Sequence, residues 1–464
     1  MGALAGLLKA AGHRVTGSDA AFDPPMGPAL ERWGIETMIG PDPANLVPTP
    51  DMVVVGNVCR PTHAEARAAV DQGMNVRSFP GVMDELFLRD RPSFVVAGTH
   101  GKTTSSTLLA FLLSETGRDP GFLLGGIPKD FDAAFRLGDA SAPFVIEGDE
   151  YDSAFFEKSP KFWRYQPNAV LLTSVEHDHI DIYPDEASYL AAFEGLIERI
   201  PEDGHLVAFA GDARLRALAE KARCNVHYYA LDSDDCGPLH PMWSAALAPP
   251  SAGATPMDLH GGGTYLGRLM SPLSGKHNAR NMLGVLALAA VTGSDLRSLM
   301  DAAPRFGGVK RRQDLLAVAG GVRVFDDFAH HPTAVRETLA GLRALHPSGR
   351  LVCVFEPRSA TASRRLHQDA YEHAFDAADL AVIAPVGRPE IALAEQLDRK
   401  AICESMASRR KVALAPETLD AVEAAVLGYA QPGDAIVLMS NGRFGDLHDR
   451  LIAALTPVRG ERAS

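Results

Sequence analysis

The segment SFVVAGTHGKTT, residues 93–104, carries the strongest structural signal in the chain. Its first half is an apolar run that predicts a buried strand, and the residues after it predict a helix from about Thr103 to Thr116. Glycines between a strand and a helix let backbone amides approach phosphate oxygens, and the helix N-terminus favours negative charge. We therefore predict a phosphate-binding loop formed by Gly98, Thr99, His100, Gly101, Lys102, Thr103 and Thr104.

This loop is a variant of the G-x-x-x-x-G-K-[ST] nucleotide-binding pattern, because Val96 stands where the pattern has its first glycine. In such loops the lysine reaches the β- and γ-phosphates and the following hydroxyl binds Mg²⁺. Lys102 and Thr103 are predicted to take these two roles. The alternative is a glycine turn without a ligand, which the flanking strand and helix disfavour.

Acidic and histidine side chains follow two further predicted strands. FVIEGDE, residues 144–150, ends with Glu147, Asp149 and Glu150, and SVEHDHID, residues 174–181, follows another apolar run. An acidic residue at the carboxyl end of a strand, in the same sheet as a phosphate loop, is where a Mg²⁺ ligand is expected. Histidine also binds metals. The alternatives are a solvated strand end and histidines with structural hydrogen bonds.

Apolar runs alternate with helical stretches along the chain, which predicts α/β units around parallel sheets. Polar RDRP at 89–92 and the glycine-rich, basic FGGVKRR at 306–312 are predicted linkers. They divide the chain into three domains at residues 1–90, 91–305 and 306–464. We predict Rossmann-like first and third domains and a central phosphate-loop sheet. Residues 232–268, rich in glycine and proline, are predicted to form loops and short strands.

Composition excludes several classes of protein. The 464 residues include 45 Lys and Arg against 58 Asp and Glu, a formal net charge of −13, so a nucleic-acid partner is not expected. No apolar run approaches the ~18 residues of a membrane span, so no membrane partner is expected either. Five scattered cysteines disfavour a disulfide framework or a structural zinc site and fit a reducing cytoplasm.

Five segments, in order along nearly the whole chain, resemble the Mur ligases, the ATP-dependent amide-forming enzymes of peptidoglycan synthesis. They are GTHGKTT at 98–104, EGDEYD at 147–152, KHNARN at 276–281, VKRR at 309–312 and DDFAHHPTA at 326–334. Five segments in family order are far more specific than any one of them. The resemblance implies ATP and Mg²⁺ as cofactors. It also implies that the γ-phosphoryl group of ATP passes to a carboxylate, and that an amine then attacks the acyl phosphate.

Two branches of this family fit the chain. One adds L-alanine to UDP-N-acetylmuramate, and the other attaches the recovered murein tripeptide L-alanyl-γ-D-glutamyl-meso-diaminopimelate to the same sugar nucleotide in peptidoglycan recycling. The segments at 150–162, 355–361 and 439–448 resemble the recycling branch, so UDP-N-acetylmuramate and the tripeptide are the expected substrates. Addition of L-alanine is the alternative. A third hypothesis is a phosphate-loop protein that binds nucleotide and regulates a partner without ligation.

The resemblance also implies roles for individual residues. The expected catalytic residues are Lys102, Thr103, Glu150, His179 and Arg311, of which Thr103, Glu150 and His179 are the expected metal ligands. Beyond the loop, the expected nucleotide contacts are His277, Asn278, Asn281, Arg312, Asp326 and Asp327. The expected substrate contacts are Ser18, Asp19, His330, His331, Arg358, Ser359 and Asn441. His330 and His331 have a structural alternative as caps of a helix that begins near Pro332. The general base is left open among His179, His331 and Asp326.

The chain departs from the family pattern at two places. Members open with a strand and a glycine loop that helps to bind UDP, whereas Met1 and Gly2 would be the end of that loop here. We therefore expect the first domain to lack its first strand, with the true start upstream or the chain truncated, and the UDP site to be affected. Ser174 stands where relatives often carry asparagine, which is expected to alter the network beside the metal without removing His179.

Overall fold

The computed structural model describes residues 1–251 and 253–456. Its amino-terminal region contains helices α1 (Gly2–Ala10), α2 (Met26–Arg32), α3 (Ala64–Asp71) and α4 (Phe79–Met83), and strands β1 (Thr16–Asp19), β2 (Glu36–Ile39), β3 (Val53–Val55) and β4 (Val76–Ser78). β1 pairs with β2 and β3 pairs with β4, both in parallel. Within the described ranges no ladder joins the two pairs, so this region has two separate two-stranded sheets.

The central region is built around a ten-stranded sheet. The strands of this region are β5 (Ser93–Ala97), β6 (Gly121–Leu123), β7 (Phe135–Arg136), β8 (Phe144–Gly148), β9 (Asp152–Ala154), β10 (Glu157–Pro160), β11 (Ala169–Leu172), β12 (His205–Phe209), β13 (Asn225–Leu231), β14 (Trp243–Leu247), β15 (Thr255–Gly261) and β16 (Thr264–Ser271). Ten of them form the sheet, and β9 and β10 form a separate small hairpin beside it. Its helices are α5 (Lys102–Glu115), α6 (Glu186–Ile197), α7 (Ala213–Ala219), α8 (Lys276–Val291) and α9 (Leu296–Ala302).

The strand order is β16-β15-β14-β13-β12-β11-β5-β8-β6-β7. From β14 to β6 the neighbouring strands are parallel, and the outer strands β15, β16 and β7 are antiparallel to their neighbours. β5 lies between β11 and β8, so the loop after β5 is flanked by the segments that follow those two strands. This order confirms the predicted meeting of the phosphate loop with the two acidic segments.

Both faces of β5 are buried, because helices cover the central sheet on each side. Phe94 and Val96 belong to a core cluster with residues of α5 and α8, whereas Val95 and Ala97 belong to a second cluster with residues of α6. Alternate residues of a strand point to opposite faces of its sheet. A strand that is buried at every position therefore supplies both cores and fixes the position of the loop that follows it.

The carboxyl-terminal region has a six-stranded sheet of order β17-β18-β22-β19-β20-β21. The strands are β17 (Asp314–Ala319), β18 (Val322–Asp327), β19 (Leu351–Phe355), β20 (Leu380–Ile383), β21 (Val412–Leu414) and β22 (Ala435–Met439). The helices are α10 (Pro332–Leu345), α11 (Gln368–Ala374), α12 (Arg399–Ser408), α13 (Leu419–Tyr429) and α14 (Leu447–Leu455). All pairings are parallel except that of β17 with β18. The predicted α/β class and three-part architecture are confirmed.

The interpretation of residues 232–268 as loops and short strands was only partly right. β15 and β16 have seven and eight residues, and with β14 they form an antiparallel meander that extends the central sheet. Their burial does not alternate regularly, because β16 is an edge strand with exposed positions. The glycines that suggested loops lie partly in the tight turn between β15 and β16, where Gly262 and Gly263 have positive φ.

Candidate active site

The phosphate loop connects β5 to α5. At two of its positions the backbone conformation and the neighbouring atoms allow only glycine. Gly98 has φ +132°, and a Cβ there would lie 2.3 Å from the Thr173 hydroxyl. Gly101 has φ +80°, and a Cβ there would lie 2.5 Å from the side-chain oxygen of Asn281. Ser174 supports the loop, since its hydroxyl accepts the His100 backbone N–H at 3.0 Å and its carbonyl accepts the Thr99 N–H at 2.9 Å.

Lys102 begins α5 and folds back over the loop. Its Nζ donates to the Gly98 carbonyl at 2.6 Å and to the two carboxylate oxygens of Glu150 at 3.3 and 3.1 Å. Burial alone would lower the pKa of this ammonium, but Glu150 and its acidic neighbours more than offset that effect and raise it. Lys102 therefore stays charged at the mouth of the loop, where a phosphate would lie.

Thr103 contacts a different carboxylate. Its hydroxyl donates to Glu147 at 2.9 Å, and the other Glu147 oxygen accepts the Gly125 N–H at 3.0 Å. The expected grouping of Thr103 with Glu150 is therefore not what the side-chain contacts show. Glu147 is the last but one residue of β8, so it points beside the first turn of α5, whereas Glu150 lies beyond the strand end. Burial, followed by the charge of Asp149, raises the pKa of Glu147.

Glu150 is fully buried and lies at the centre of a polar cluster. Besides Lys102 it contacts His179, whose Nε2 lies 3.1 Å from Oε1, and Tyr189, whose hydroxyl donates at 3.3 Å. Burial would raise the pKa of this carboxyl, but Lys102 and His179 lower it to about 2. His179 has φ +55°, an uncommon conformation for a residue other than glycine. The strained backbone places the imidazole against Glu150.

These donors suit a hard divalent cation. Hydroxyl and carboxylate oxygens are the ligands that Mg²⁺ prefers, and a Mg²⁺ site normally combines one or two carboxylates with substrate phosphates. Thr103, Glu147 and Glu150 supply such oxygens beside the loop, and His179 adds a ring nitrogen. The residues present therefore fit the cation that the phosphate loop implies.

The two linker arginines point to different places. The Nη2 of Arg312 donates to the Thr103 hydroxyl at 3.4 Å, so this arginine reaches the phosphate loop from the carboxyl-terminal region. Arg311 was expected to be catalytic but turns away: it pairs with Asp326 at 3.1 Å and donates to the carbonyls of Ser440 and Gly442. The φ of Arg311 is +63°, which rotates the chain between the two side chains.

Asp326 and Asp327 were expected to contact the nucleotide. Their carboxylates form an ion pair and hydrogen bonds within the carboxyl-terminal region. Asp326 holds Arg311, and the two oxygens of Asp327 accept the backbone N–H groups of Gln313 and Ala329, each at 2.7 Å. A different acidic residue of this region, Asp314, pairs with Lys129 of the central region at 2.6 Å. Asp327 thus fixes the linker to the end of β18.

The first turn of α8 approaches the phosphate loop as expected. Asn281 lies against Gly101, and its amide donates to Asn278 at 3.3 Å. Asn278 donates in turn to the Ser274 carbonyl at 2.9 Å. The Nδ1 of His277 is buried and has no hydrogen-bond partner among the described residues. Burial, together with the nearby Arg280, lowers the pKa of His277 to about 3, so the ring is neutral.

His331 and His330 differ in their surroundings. His331 is the N-cap of α10, because its Nδ1 accepts the Thr333 N–H, which is the structural alternative predicted for it. It also lies 3.4 Å from Glu176, a central-region residue. The Nδ1 of His330 lies 3.0 Å from the Phe328 carbonyl. Burial lowers the pKa of both rings, that of His331 to about 3.

Glu176 was not predicted. Its carboxylate lies 3.2 Å from the Nε2 of His100, and its backbone exchanges hydrogen bonds with the Thr99 hydroxyl at 2.8 and 2.9 Å. The only available signal was its place in SVEHDHID, a segment in which the histidines were the predicted metal-binding residues. Thr361 was also missed: its hydroxyl donates to Asp178 at 2.6 Å across the two regions.

Arg358, Ser359 and Asn441 were expected to contact the substrate. Each follows a strand of the carboxyl-terminal sheet. Arg358 is exposed and forms no ion pair within residues 1–251 and 253–456, and its guanidinium lies over the backbone of Gly442. Ser359 is used locally, since its hydroxyl accepts the Ala362 N–H at 2.9 Å. The buried side-chain oxygen of Asn441 is unpaired among the described residues.

Ser18 and Asp19 lie at the end of β1, away from the contacts described above. The Ser18 hydroxyl donates to Glu65 at 2.6 Å, and Asp19 accepts the N–H of Ala20 at 2.7 Å. Neither side chain hydrogen-bonds to the phosphate loop in the part of the chain that the structure describes. Their local bonds are those of residues at a strand end, and the expected sugar-nucleotide contact stays a prediction.

Comparison with known proteins places this geometry in a family. Residues 1–91 match the Mur ligase family catalytic domain, residues 96–289 the Mur ligase middle domain and residues 311–442 the Mur ligase glutamate ligase domain. A UDP-N-acetylmuramate–L-alanyl-γ-D-glutamyl-meso-2,6-diaminoheptandioate ligase of Escherichia coli is 34% identical over 98% of this chain and 96% of its own. The chain belongs to the Mur ligase family.

Relatives in this family carry two kinds of name. A UDP-N-acetylmuramate–L-alanine ligase of Roseiflexus is 33% identical to this Mur ligase over 96% of each chain. Among solved structures, a murein peptide ligase of Psychrobacter arcticus is 32% identical and superposes with a TM-score of 0.72, over 99% of this chain and 97% of its own. In the described parts of this Mur ligase, no helix is both long and apolar enough to span a membrane.

Proposed function

We propose that this Mur ligase joins UDP-N-acetylmuramate to the tripeptide L-alanyl-γ-D-glutamyl-meso-diaminopimelate at the expense of ATP. The observation that carries the proposal is the meeting of Lys102, Thr103 and Arg312 at one loop, with the arginine supplied by a second domain. The names of the Escherichia coli and Psychrobacter arcticus relatives support this choice of substrates.

The chemistry requires activation of a carboxylate, which is a poor electrophile in neutral water. Transfer of the γ-phosphoryl group of ATP gives an acyl phosphate; the amine of the tripeptide attacks its carbonyl carbon, and phosphate leaves. In phosphoryl transfer the protein mainly aligns oxygens and stabilises charge. Lys102 would hold the β- and γ-phosphates, the amides at the start of α5 would orient them, and Arg312 would approach from the opposite side.

Mg²⁺ is proposed as the accompanying cation, held by Thr103 with Glu147 and by Glu150 with His179. When bound, it would neutralise phosphate charge during transfer. Glu150 is suited to this role because Lys102 and His179 keep its carboxyl ionised. Tyr189 orients the carboxylate by donating a hydrogen bond to one oxygen.

The three domains are proposed to divide the work as predicted from the sequence. Residues 1–90 would bind the sugar nucleotide, residues 91–305 would bind ATP, and residues 306–464 would bind the peptide and close over the nucleotide. Arg358 would bind a peptide carboxylate, since guanidinium pairs with carboxylates in bidentate fashion. Five free thiols in the described residues support a reducing cytoplasm as the compartment.

The test is phosphate release by the full chain with ATP, Mg²⁺ and UDP-N-acetylmuramate, measured with either the tripeptide or L-alanine as acceptor. We expect turnover with the tripeptide and a product whose mass equals the sum of the two substrates minus water. Turnover with L-alanine alone would assign the second activity, which the Roseiflexus relative supports. Nucleotide binding without phosphate release for either acceptor would contradict ligation and favour a regulatory role.

A further inference from the structure

A cluster of two histidines and a glutamate bridges the central and carboxyl-terminal domains. It consists of His100 from the phosphate loop, Glu176 from the segment after β11 and His331 from the start of α10. One potential ligand atom from each lies within 4.8 Å of the other two. The side chains are 22%, 26% and 6% exposed, so the cluster lies in the closed cleft.

The cluster has unfilled bonding capacity. The Nε2 atoms of His331 and His367 are buried and lack hydrogen-bond partners among the described residues. The two rings pack edge to face with centroids 4.8 Å apart, so His367 places a third imidazole beside the cluster. Buried polar atoms are nearly always bonded, and an unpaired one calls for a specific partner such as an ion.

We propose that His100, Glu176 and His331 form a zinc-type cation site that joins the two domains. Two imidazoles and a carboxylate are a common Zn²⁺ ligand set, and a fourth position is often filled by water or another ligand. Imidazole nitrogen selects borderline ions such as Zn²⁺ over Mg²⁺. The site is therefore chemically distinct from the oxygen donors Thr103, Glu147 and Glu150.

The alternative explanation of the His100–Glu176–His331 cluster is a hydrogen-bond network without a metal ion. It accounts for the 3.2 Å contact of His100 with Glu176, which positions the phosphate loop. It does not account for the unpaired Nε2 of His331 and His367, each within a cluster of other imidazoles. A cation bound by the Nε2 of His331 requires the tautomer that carries its proton on Nδ1, and that proton would face Glu176 at 3.4 Å in place of the Thr333 N–H.

Zinc would act on domain closure. Two of the ligands belong to the central domain and one to the carboxyl-terminal domain, so the complete set exists only while the domains touch. A ligand that binds only one conformation shifts the equilibrium towards it. Zn²⁺ is therefore expected to hold the closed form and to slow turnover by delaying opening.

The experiment is titration of the metal-free full chain with Co²⁺, a spectroscopic substitute for Zn²⁺, followed by competition with Zn²⁺. Neither ATP nor sugar nucleotide is present, so the result is independent of the ligase assay. We expect one ion per chain with the visible absorption of nitrogen- and oxygen-bound Co²⁺. His331→Asn should weaken binding at least about tenfold while keeping an N-cap for α10.

The matched control is His205→Asn. His205 lies 3.1 Å from His227 on neighbouring strands of the central sheet, a histidine pair outside the cleft. This variant should bind Co²⁺ as the parent does, and circular dichroism should show that both variants are folded. A Zn²⁺-dependent rise in melting temperature should be present in the parent and lost in His331→Asn. Absence of micromolar binding, a thiolate charge-transfer band, or unchanged binding in His331→Asn would each overturn the proposal.

Discussion

Lys102 illustrates how one buried charge can serve both chemistry and stability. Lys102→Ala removes the cation that faces the phosphate position and leaves His179 as the remaining ring-nitrogen partner of Glu150. We expect ATP-dependent phosphate release to fall by about 10²–10³-fold. We also expect a loss of roughly 3–5 kcal/mol in the free energy of unfolding, because a buried ion pair is broken from one side. Steady-state kinetics and urea unfolding measure the two effects.

The control is Lys221→Ala, since Lys221 forms an exposed ion pair with Glu194 at 2.7 Å. Exposed pairs contribute only about 0–1 kcal/mol, so both quantities should stay near those of the parent. Retained turnover in Lys102→Ala would contradict the assignment of the phosphate loop.

The linker arginines give a second prediction at the scale of single residues. Arg312→Ala should lower kcat by about 10²–10³-fold with little change in melting temperature, because Arg312 reaches Thr103 across the cleft. Arg311→Ala should instead lower the melting temperature, because Arg311 ties Asp326 to the Ser440 and Gly442 carbonyls. Paired kinetics and thermal unfolding check both. The reverse pattern would contradict the geometry.

Sequence reasoning found the loop residues but not this division between the arginines. Adjacent residues in a flexible linker have no periodicity that assigns their directions, and the positive φ of Arg311 decides the outcome. The contacts of Asp326 and Asp327 within their own domain could not be predicted for a related reason: an acidic pair at the end of a strand has the same sequence pattern whether it faces a ligand or the backbone of its own domain. Glu176 was missed because four other titratable residues share its segment.

At the scale of the element, the strand–loop–helix unit depends on Gly98. Gly98→Ala combines a positive φ with a Cβ 2.3 Å from the Thr173 hydroxyl and 2.8 Å from the Ser174 carbonyl. We expect a loss of about 1–3 kcal/mol in stability and a rise in the Kd for ATP, since the loop must shift. Gly428→Ala is the control, because no described atom other than those of its chain neighbours and the adjacent backbone of its own helix lies within 4 Å of the added Cβ. Its helix should be unchanged or slightly stabilised.

Calorimetric titration with ATP and urea unfolding of both variants give the measurement. Unaltered ATP binding in Gly98→Ala would show that the loop tolerates a side chain there, against the contacts described above.

The first turn of α8 predicts a pH dependence. His277 has a folded-state pKa of about 3 against an ordinary value of 6.5, so below pH 6.5 the unfolded chain binds a proton that the folded chain does not. Stability must therefore fall as the pH falls from about 6.5 towards 3. This group should remove about 2 kcal/mol between pH 7 and pH 5. His277→Gln should flatten the profile by that amount in urea unfolding, whereas the exposed His13→Gln should leave it unchanged.

Elements were predictable where their pattern was strong. β5, buried at every position, and α5 after it were recognised because an apolar run followed by a long helical stretch leaves a clear pattern. The meander of β14, β15 and β16 was not, because an edge strand with exposed positions and glycine turns looks like loop. The small strand β17 escaped for the same reason: its middle residues are largely exposed.

For the whole molecule, activity should depend on contacts between the central and carboxyl-terminal domains. Thr361→Val removes the hydroxyl that donates to buried Asp178 at 2.6 Å. A hydrogen bond to a charged group contributes about 1.5–3 kcal/mol, so the closed population should fall by about tenfold or more. Small-angle scattering should show a larger radius of gyration in the presence of ATP, and kcat/KM should fall. Thr292→Val, which loses only a bond within its own helix, should behave as the parent.

The hydrogen bond from Arg312 to Thr103 and the ion pair between Lys129 and Asp314 join the central domain to the carboxyl-terminal domain. Binding to the two domains is then thermodynamically linked. If ATP raises the affinity for the peptide by some factor, the peptide raises the affinity for ATP by the same factor. Each ligand is therefore expected to bind more tightly in the presence of the other to the extent that both require these two contacts between the domains.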